Sequence, residues 1–439
     1  MLRSGQVFIQ CFFVALWFLF TDRCVRAADA TARHFLPSSL CRSNIPLVSA
    51  SVGLRLRLAG FLCFGRACGA FLGMLVPMRA AMRFLLIGLV LVGLPRLAMS
   101  AADAPLGPRG SSSVSARREG LPRKVLLGSV ISGYEIFSLL LEKRLDRMDE
   151  LVEAMSAQGR ANYPAKPLDL AVLPETFLAR PGGSLAQQAV RLDDVQPRIA
   201  ACARRHGCYL IVPLLLQEAD PPLRISNAAV LVDREGRVAG IYRKVHLVAP
   251  QGSDVLENGT TPGRGFPVFE CDFGRVGIQI CFDLLYPDGW QALARQGAEI
   301  VALPSASPET VHPSFYALQH RYYIVSAAPR DHAAVFSPLG MIEAEVTQEA
   351  VLVHQIDLSY AILHWEAVLE EGEGLRRRFG DKVGFHYYRP EDAGIFWSND
   401  PGTPIAQMIA SLGLSESNAN VERVRLLQDN ERGGPPEQP

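Results

Sequence analysis

The 439-residue chain has no lysine before residue 120 and almost no acid there. Residues 1–120 hold 14 Arg, no Lys and four acids (Asp22, Asp29, Asp103, Glu119), although the whole chain balances 44 basic against 44 acidic residues. The remainder is therefore acidic, with 40 acids against 30 bases. An acidic body lacks the basic surface that displaces counterions from nucleic acid, so no nucleic-acid partner is expected. Paired cysteines are scarce as well. Five of the nine (Cys11, Cys24, Cys41, Cys63, Cys68) lie in the first 120 residues. Cys202, Cys208, Cys271 and Cys281 are scattered with no Cys-x-x-Cys spacing, which excludes a disulfide scaffold. Cys202 and Cys208 could bridge in an exported protein, but nearness in sequence does not give the required geometry. Internal repeats are absent.

Two N-terminal stretches have the character of export signals. VFIQCFFVALWFLF (7–20) is apolar and follows Arg3. FLLIGLVLVGL (84–94) follows Met82-Arg83 and precedes the small residues AMSAA (98–102). The second fits a secretory signal better, and it is too short to span a bilayer. The expected layout is a doubtful or unstructured region over 1–81, with translation starting at Met78 or Met82. A signal peptide follows over 82–102, then a linker over 103–122 rich in Ser, Gly, Pro and Arg. The protein is then exported to the periplasm or medium, and touches a membrane only if the signal stays uncleaved. The alternative is a membrane anchor formed by the N-terminal segment.

Order is expected from Arg123. KVLLGSVI (124–131), LDLAVLPE (168–175), YLIVPLLL (209–216), RVGIQIC (275–281), EIVALP (299–304), IVSAAP (324–329) and VLVHQID (351–357) read as buried strands. Leu141, Leu145, Met148, Val152 and Met155 recur at helical spacing. Residues 184–206 read as one helix, with a start or kink near Pro197, and 227–247 as a hairpin around Asp-Arg-Glu-Gly. Helices also follow near 288–296 and 313–322. Alternating strands and helices with interleaved hairpins indicate an α/β protein with a mixed sheet and helices outside. Residues 359–418 are more charged and aromatic. The polar, Pro-rich end is expected to form a disordered tail over 419–439.

Three strand ends carry chemistry. Glu175 follows a strand and a proline in LPETF; Lys244 ends a hairpin strand in YRKVHL; Cys281 ends a buried strand in QICFD. Strand carboxyl ends in α/β proteins are where reactive groups gather. Burial there raises a carboxyl pKa and lowers a lysine pKa. Taken singly, each has a plain structural alternative: Glu175 a helix cap, Lys244 a solvated edge charge, Cys281 a small packed hydrophobe. Taken together, they supply a base, an electrostatic stabiliser and a nucleophile. A Cys–His protease site is the rival, with His206, His246, His312, His320, His332 and His354 as candidates. Nothing in the spacing pairs any of them with Cys281, and His312 with His320 lacks the partners a metal site needs.

In this order, LPETF, YRKVHL, Thr261-Pro-Gly, GRVGIQICFDLLYPDGW and ALPSASP resemble the nitrilase superfamily of carbon–nitrogen hydrolases, from about Arg123 to about Leu358. The resemblance implies a four-layer αββα sandwich over 123–358 and a Glu-Lys-Cys site needing no metal or cofactor. Glu175 would be the general base, Lys244 the oxyanion stabiliser, Cys281 the nucleophile and the Phe282 backbone N–H a second oxyanion donor. Glu257 would be the second glutamate; as an alternative it is a solvated loop acid. Ser305, Ala306 and Tyr286 are the substrate-binding candidates, and His246 would pack behind the site. Phe282-Asp283 after the cysteine resembles the amidase and carbamoylase branches, whereas nitrilases more typically carry Trp-Glu. The implied activity is cleavage of an amide or carbamoyl C–N bond in a small molecule through a Cys thioester. Alternatives are nitrile hydrolysis and a non-catalytic binding protein on the same fold. Acyl transfer to lipoproteins does not fit, because that branch precedes the domain with a bundle of spanning helices. A homo-oligomer is also expected, with the aromatic FHYYRPEDAGIFWSND either at its interface or in a small satellite core. N-terminal sequencing of the mature protein is expected to start near Ala102; a start near residue 30 contradicts the signal at 82–102.

Overall fold

The computed structural model describes residues 120–218 and 223–436. The expectations for 1–81, for the signal at 82–102 and for nearly all of the linker, 103–119, lie outside the described residues.

Strand β1 (Lys124–Ile131) leads through helix α1 (Leu141–Asn162) to β2 (Leu170–Val172). Helix α2 (Leu185–Gln188), the short β3 (Val190–Arg191), helix α3 (Leu192–His206) and β4 (Tyr209–Gln217) follow, and then the hairpin of β5 (Ile225–Val232) and β6 (Val238–Arg243). Strands β1, β2 and β4 pair in parallel, each connection being a helical crossover. The β5–β6 turn is closed by Asp233, whose Oδ1 accepts from the N–H groups of Glu235 and Arg237. Gly236 there sits at φ 79°, and a Cβ would meet the Ala200 carbonyl at 2.7 Å.

The second half repeats the plan. Strands β7 (Val268–Glu270) and β8 (Arg275–Ile278), helix α4 (Pro287–Arg295), β9 (Ile300–Pro304), helix α5 (Val311–His320), β10 (Tyr323–Ala327), β11 (Ala333–Phe336) and β12 (Ile342–Val346) build a six-stranded sheet ordered β12-β11-β10-β9-β8-β7. Strand β13 (Ala350–Asp357) then returns to the first sheet and lies antiparallel to β1, Lys124 opposite Asp357.

Side-chain alternation settles the layering. On β1, Leu126 and Val130 pack with Leu145, Met148, Val152 and Met155 of α1, while Val125 and Leu127 face the other way. On β9, Ile300 and Ala302 join that same inner cluster, while Val301 and Leu303 pack with Trp290 of α4 and Tyr316 of α5. Residues 124–357 are thus layered helix, sheet, sheet, helix, and the inner cluster is the sheet-to-sheet core.

Beyond β13, β14 (Tyr360–His364), helix α6 (Glu373–Phe379), β15 (Val383–Tyr388), β16 (Ala393–Ser398), helix α7 (Ile405–Ala410) and helix α8 (Ser417–Arg432) follow. Strands β14, β16 and β15 form a third sheet. One face builds a satellite core of Leu363, Leu369, Leu375, Phe396 and Met408; from the other, Tyr360, Ile362 and Ile395 extend the sheet-to-sheet core.

Four expectations are corrected. The 184–206 helix is interrupted at Ala189, which is extended, so that Val190 can pair with Leu216 on β4. The strand expected to run to Glu175 ends at Val172, and the one expected to run to Cys281 ends at Ile278. The disordered tail over 419–439 is replaced up to Arg432 by α8, whose first turn is held by the Glu416 carboxylate accepting from Asn418 N–H. Ile278 is fully buried between the sheets. Ile278→Ala is expected to cost about 2–5 kcal/mol in denaturant unfolding.

Candidate active site

Glu175 lies past the end of β2, just after Pro174, and is 4% exposed. The next residue, Thr176, has φ 52°, a left-handed turn that redirects the chain. The buried Arg144 of α1 fastens that turn by donating to the carbonyls of Thr176 and Phe177. Both oxygens of Glu175 are occupied. Oε1 accepts from Lys244 Nζ at 2.8 Å and from Asn227 Nδ2 at 2.7 Å, and Oε2 accepts from the Ala306 N–H at 2.9 Å.

Lys244 is 1% exposed and follows the last residue of β6. Its ammonium lies between Glu175 and Glu257, 3.1 Å from Glu257 Oε2 and 3.3 Å from Oε1. Burial alone would lower its pKa, as the sequence predicts, but the two carboxylates outweigh burial and hold it above the ordinary lysine value. Glu257 sits on a tight turn with φ 37°, and burial raises its pKa against the opposing pull of Lys244. It faces Lys244 and is mostly buried, so it is not the solvated loop acid of the alternative.

Asn227 is a site residue that the sequence reading missed. Its side chain is fully buried on β5, and Nδ2 donates to both Glu175 Oε1 and Glu257 Oε1. The backbone carbonyl of Asn227 accepts from the Lys244 N–H at 2.8 Å. The signal was present, since one amide interrupts the apolar run ISNAAVLV.

Cys281 opens a 3-10 turn, Cys281–Leu285, with its own φ at 45°. Non-glycine residues adopt that conformation only where the surroundings impose it, and such positions cluster at functional sites. The turn also puts the Phe282 N–H in the first helical turn, where amides have no intrahelical acceptor. Around the sulfur are Glu175, Lys244, the Ser305 hydroxyl and the Ala306 N–H. Burial and the Glu175 charge push the thiol up to about 11, while Lys244, Ser305 and Ala306 pull the other way. At neutral pH it is therefore a protonated thiol with a carboxylate beside it.

Ser305 and Ala306, expected from sequence as pocket residues, thus lie against Cys281, and Ala306 N–H also donates to Glu175. Tyr286 is 40% exposed and stacks on His246 with ring centroids 4.0 Å apart. His246 bonds Asp283 instead of the thiol. A separate groove lined by Ser226, Arg243, Gly263 and Phe266 lies on the opposite face of the strands that carry Asn227 and Lys244, and none of Glu175, Lys244 or Cys281 lines it. Among the described residues, no group of three or more His, Cys, Asp or Glu could hold a metal ion.

Two buried carboxylates, the ammonium between them and the Cys281 thiol are thus brought together in one place. The sequence matches the carbon-nitrogen hydrolase family over residues 131–363, just over half the chain. The chain belongs to that family. It is similar to the omega-amidase NIT2 of Danio rerio, at 26% identity over 49% of this chain and 83% of that protein. The Xenopus tropicalis omega-amidase NIT2 is 27% identical over 37% of this chain and 66% of its own length. The Homo sapiens deaminated glutathione amidase is 30% identical over 33% of this chain, which spans about half (51%) of that relative. Among solved structures, Saccharomyces cerevisiae Nit3 aligns at 22% identity and a TM-score of 0.45, covering 54% of this chain and 91% of that one.

Because the Cys281 thiol is pushed up to about 11, its alkylation by iodoacetamide is expected to accelerate steadily from pH 7 towards pH 11. A rate already at its plateau at pH 7 would show a preformed thiolate and contradict this picture.

Proposed function

We propose that this protein is an amidase that hydrolyses a small-molecule amide or carbamoyl C–N bond through a thioester on Cys281. The observation that carries this reading is the buried Lys244–Glu175 contact at 2.8 Å beside the Cys281 sulfur. A thiol with a pKa near 11 needs a base at the moment of attack, and Glu175 is the carboxylate beside it.

The reaction runs in two halves. The Cys281 sulfur attacks the amide carbon while its proton passes to Glu175. Negative charge develops on the carbonyl oxygen, where the Lys244 ammonium and the Phe282 N–H stabilise it. The C–N bond then breaks, the leaving nitrogen takes the proton from Glu175, and ammonia or an amine departs. Water attacks the thioester carbon in the second half, giving a proton to Glu175. The C–S bond breaks, the acid leaves, and the proton returns to the sulfur. Glu257 keeps Lys244 charged and placed throughout, with Asn227 aligning both carboxylates.

Support for an amide comes from Phe282-Asp283 after the cysteine and from the relatives, whose names are those of amidases. Ammonia release over a panel of amides, carbamoyl compounds and nitriles tests the reading. Amide or carbamoyl turnover is expected, abolished in Cys281→Ala and reduced roughly 10²–10⁴-fold in Glu175→Gln. Turnover of nitriles alone, or full activity in Cys281→Ala, contradicts it.

A further inference from the structure

Asp283 is fully buried and lies two residues past the nucleophile, yet the chemistry above gives it no part. Its two oxygens reach two different strand ends. Oδ2 accepts from the Ile280 N–H at 2.9 Å and from the Tyr242 hydroxyl at 2.7 Å. Oδ1 accepts from the His246 N–H at 2.9 Å and lies 3.0 Å from His246 Nδ1. Ile280 immediately precedes Cys281, and Tyr242 and His246 flank Lys244 by two residues on either side. A single carboxylate therefore ties the chain on both sides of Lys244 to the residue that enters the strained cysteine turn.

We propose that Asp283 is a positioning residue, a clamp that holds the lysine-bearing strand end against the nucleophile turn and so sets where Lys244 Nζ stands relative to Cys281 Sγ. Lys244 comes from the first sheet and Cys281 from the second, so no ladder hydrogen bond fixes one against the other. The clamp crosses that gap within the buried region. Its bonds are charge-assisted, the stronger kind. His246 is the outer half of the clamp. Its ring is held between Tyr286 and Phe266, and its Nε2 lies 3.4 Å from Asp288. Other groups hold the outside of the turn without using the carboxylate. Trp290 Nε1 donates to the Asp283 carbonyl at 3.0 Å, and the Tyr316 hydroxyl donates to the Leu284 carbonyl at 3.1 Å. Those bonds survive when only the carboxylate is altered.

The inference rests on Cys281 as nucleophile, and its test separates the two claims. Asp283→Asn is expected to lower kcat on an amide roughly 100-fold, the scale of a misplacement of about 1 Å, with KM changed less than about threefold. The rate at which iodoacetamide alkylates Cys281 should fall with it, and that readout needs no amide substrate. His246→Ala should lower both rates, and His246→Gln, which keeps a side-chain N–H near Oδ1, should recover most of that loss. Wild-type kcat and alkylation rate per folded molecule in Asp283→Asn, even with a lower melting temperature, overturn the proposal. Should Asp283→Asn fail to fold, Tyr242→Phe and His246→Ala decide: wild-type rates in both overturn it, and a joint loss of kcat and alkylation supports it.

Discussion

The Lys244 ammonium has lost its water shell, and Glu175 and Glu257 stand in its place. Desolvating a cation costs several kcal/mol, and the cost is met only when opposite charges and well-aligned acceptors replace water. The rest of the site follows from that constraint. Glu175 must be buried beside the lysine, so β2 ends early and a left-handed Thr176 turns the chain away. Glu257 must reach inward from a loop, so its turn adopts positive φ at three successive residues, Glu257, Asn258 and Gly259. Asn227 must donate to both carboxylates, so a fully buried amide sits in a strand that is mostly apolar. Removing one partner from such a set leaves an uncompensated buried charge, at a cost of about 3–5 kcal/mol.

The same arrangement gives the sulfur its chemistry. A cation alone beside Cys281 would favour a resting thiolate. Here burial and Glu175 oppose Lys244, and the thiol is protonated at neutral pH. That combination suits a nucleophile activated by its own base in the course of attack, with the cation kept for the charge that develops on substrate. The two sheets divide the labour. The first brings Glu175 and Lys244, the second brings Cys281, Ser305 and the Ala306 N–H, and the sheet-to-sheet core of Val125, Leu127, Ile278 and Ile300 sets their approach.

Much of this was legible in the sequence because it is local. An apolar run leading to Glu175, Lys244 or Cys281 marks a strand nearby, although those before Glu175 and Cys281 stop three residues short, at Val172 and Ile278, and the five α1 residues at helical spacing all face the core. What was not legible depends on partners far away in sequence. Lys244 reads as a lysine whose pKa falls on burial; only the carboxylates 69 residues earlier and 13 residues later reverse the sign. Asn227 reads as a tolerated polar residue until its two acceptors, one on either side in the chain, are brought together. The return of β13 to pair with β1 cannot be seen from either strand. Helix α8 was hidden for another reason: only Ser417 of its residues is buried, so it has almost no apolar face to read.

The central claim is that Cys281 carries the acyl group in the reaction. The most direct measurement is acid-quenched turnover of an amide followed by peptide mass spectrometry. The account predicts a transient adduct of the acyl group's mass on the peptide containing Cys281, lost as the free acid appears. Amide turnover with Cys281 unmodified at every quench time, or with the acyl group on another residue, would contradict it.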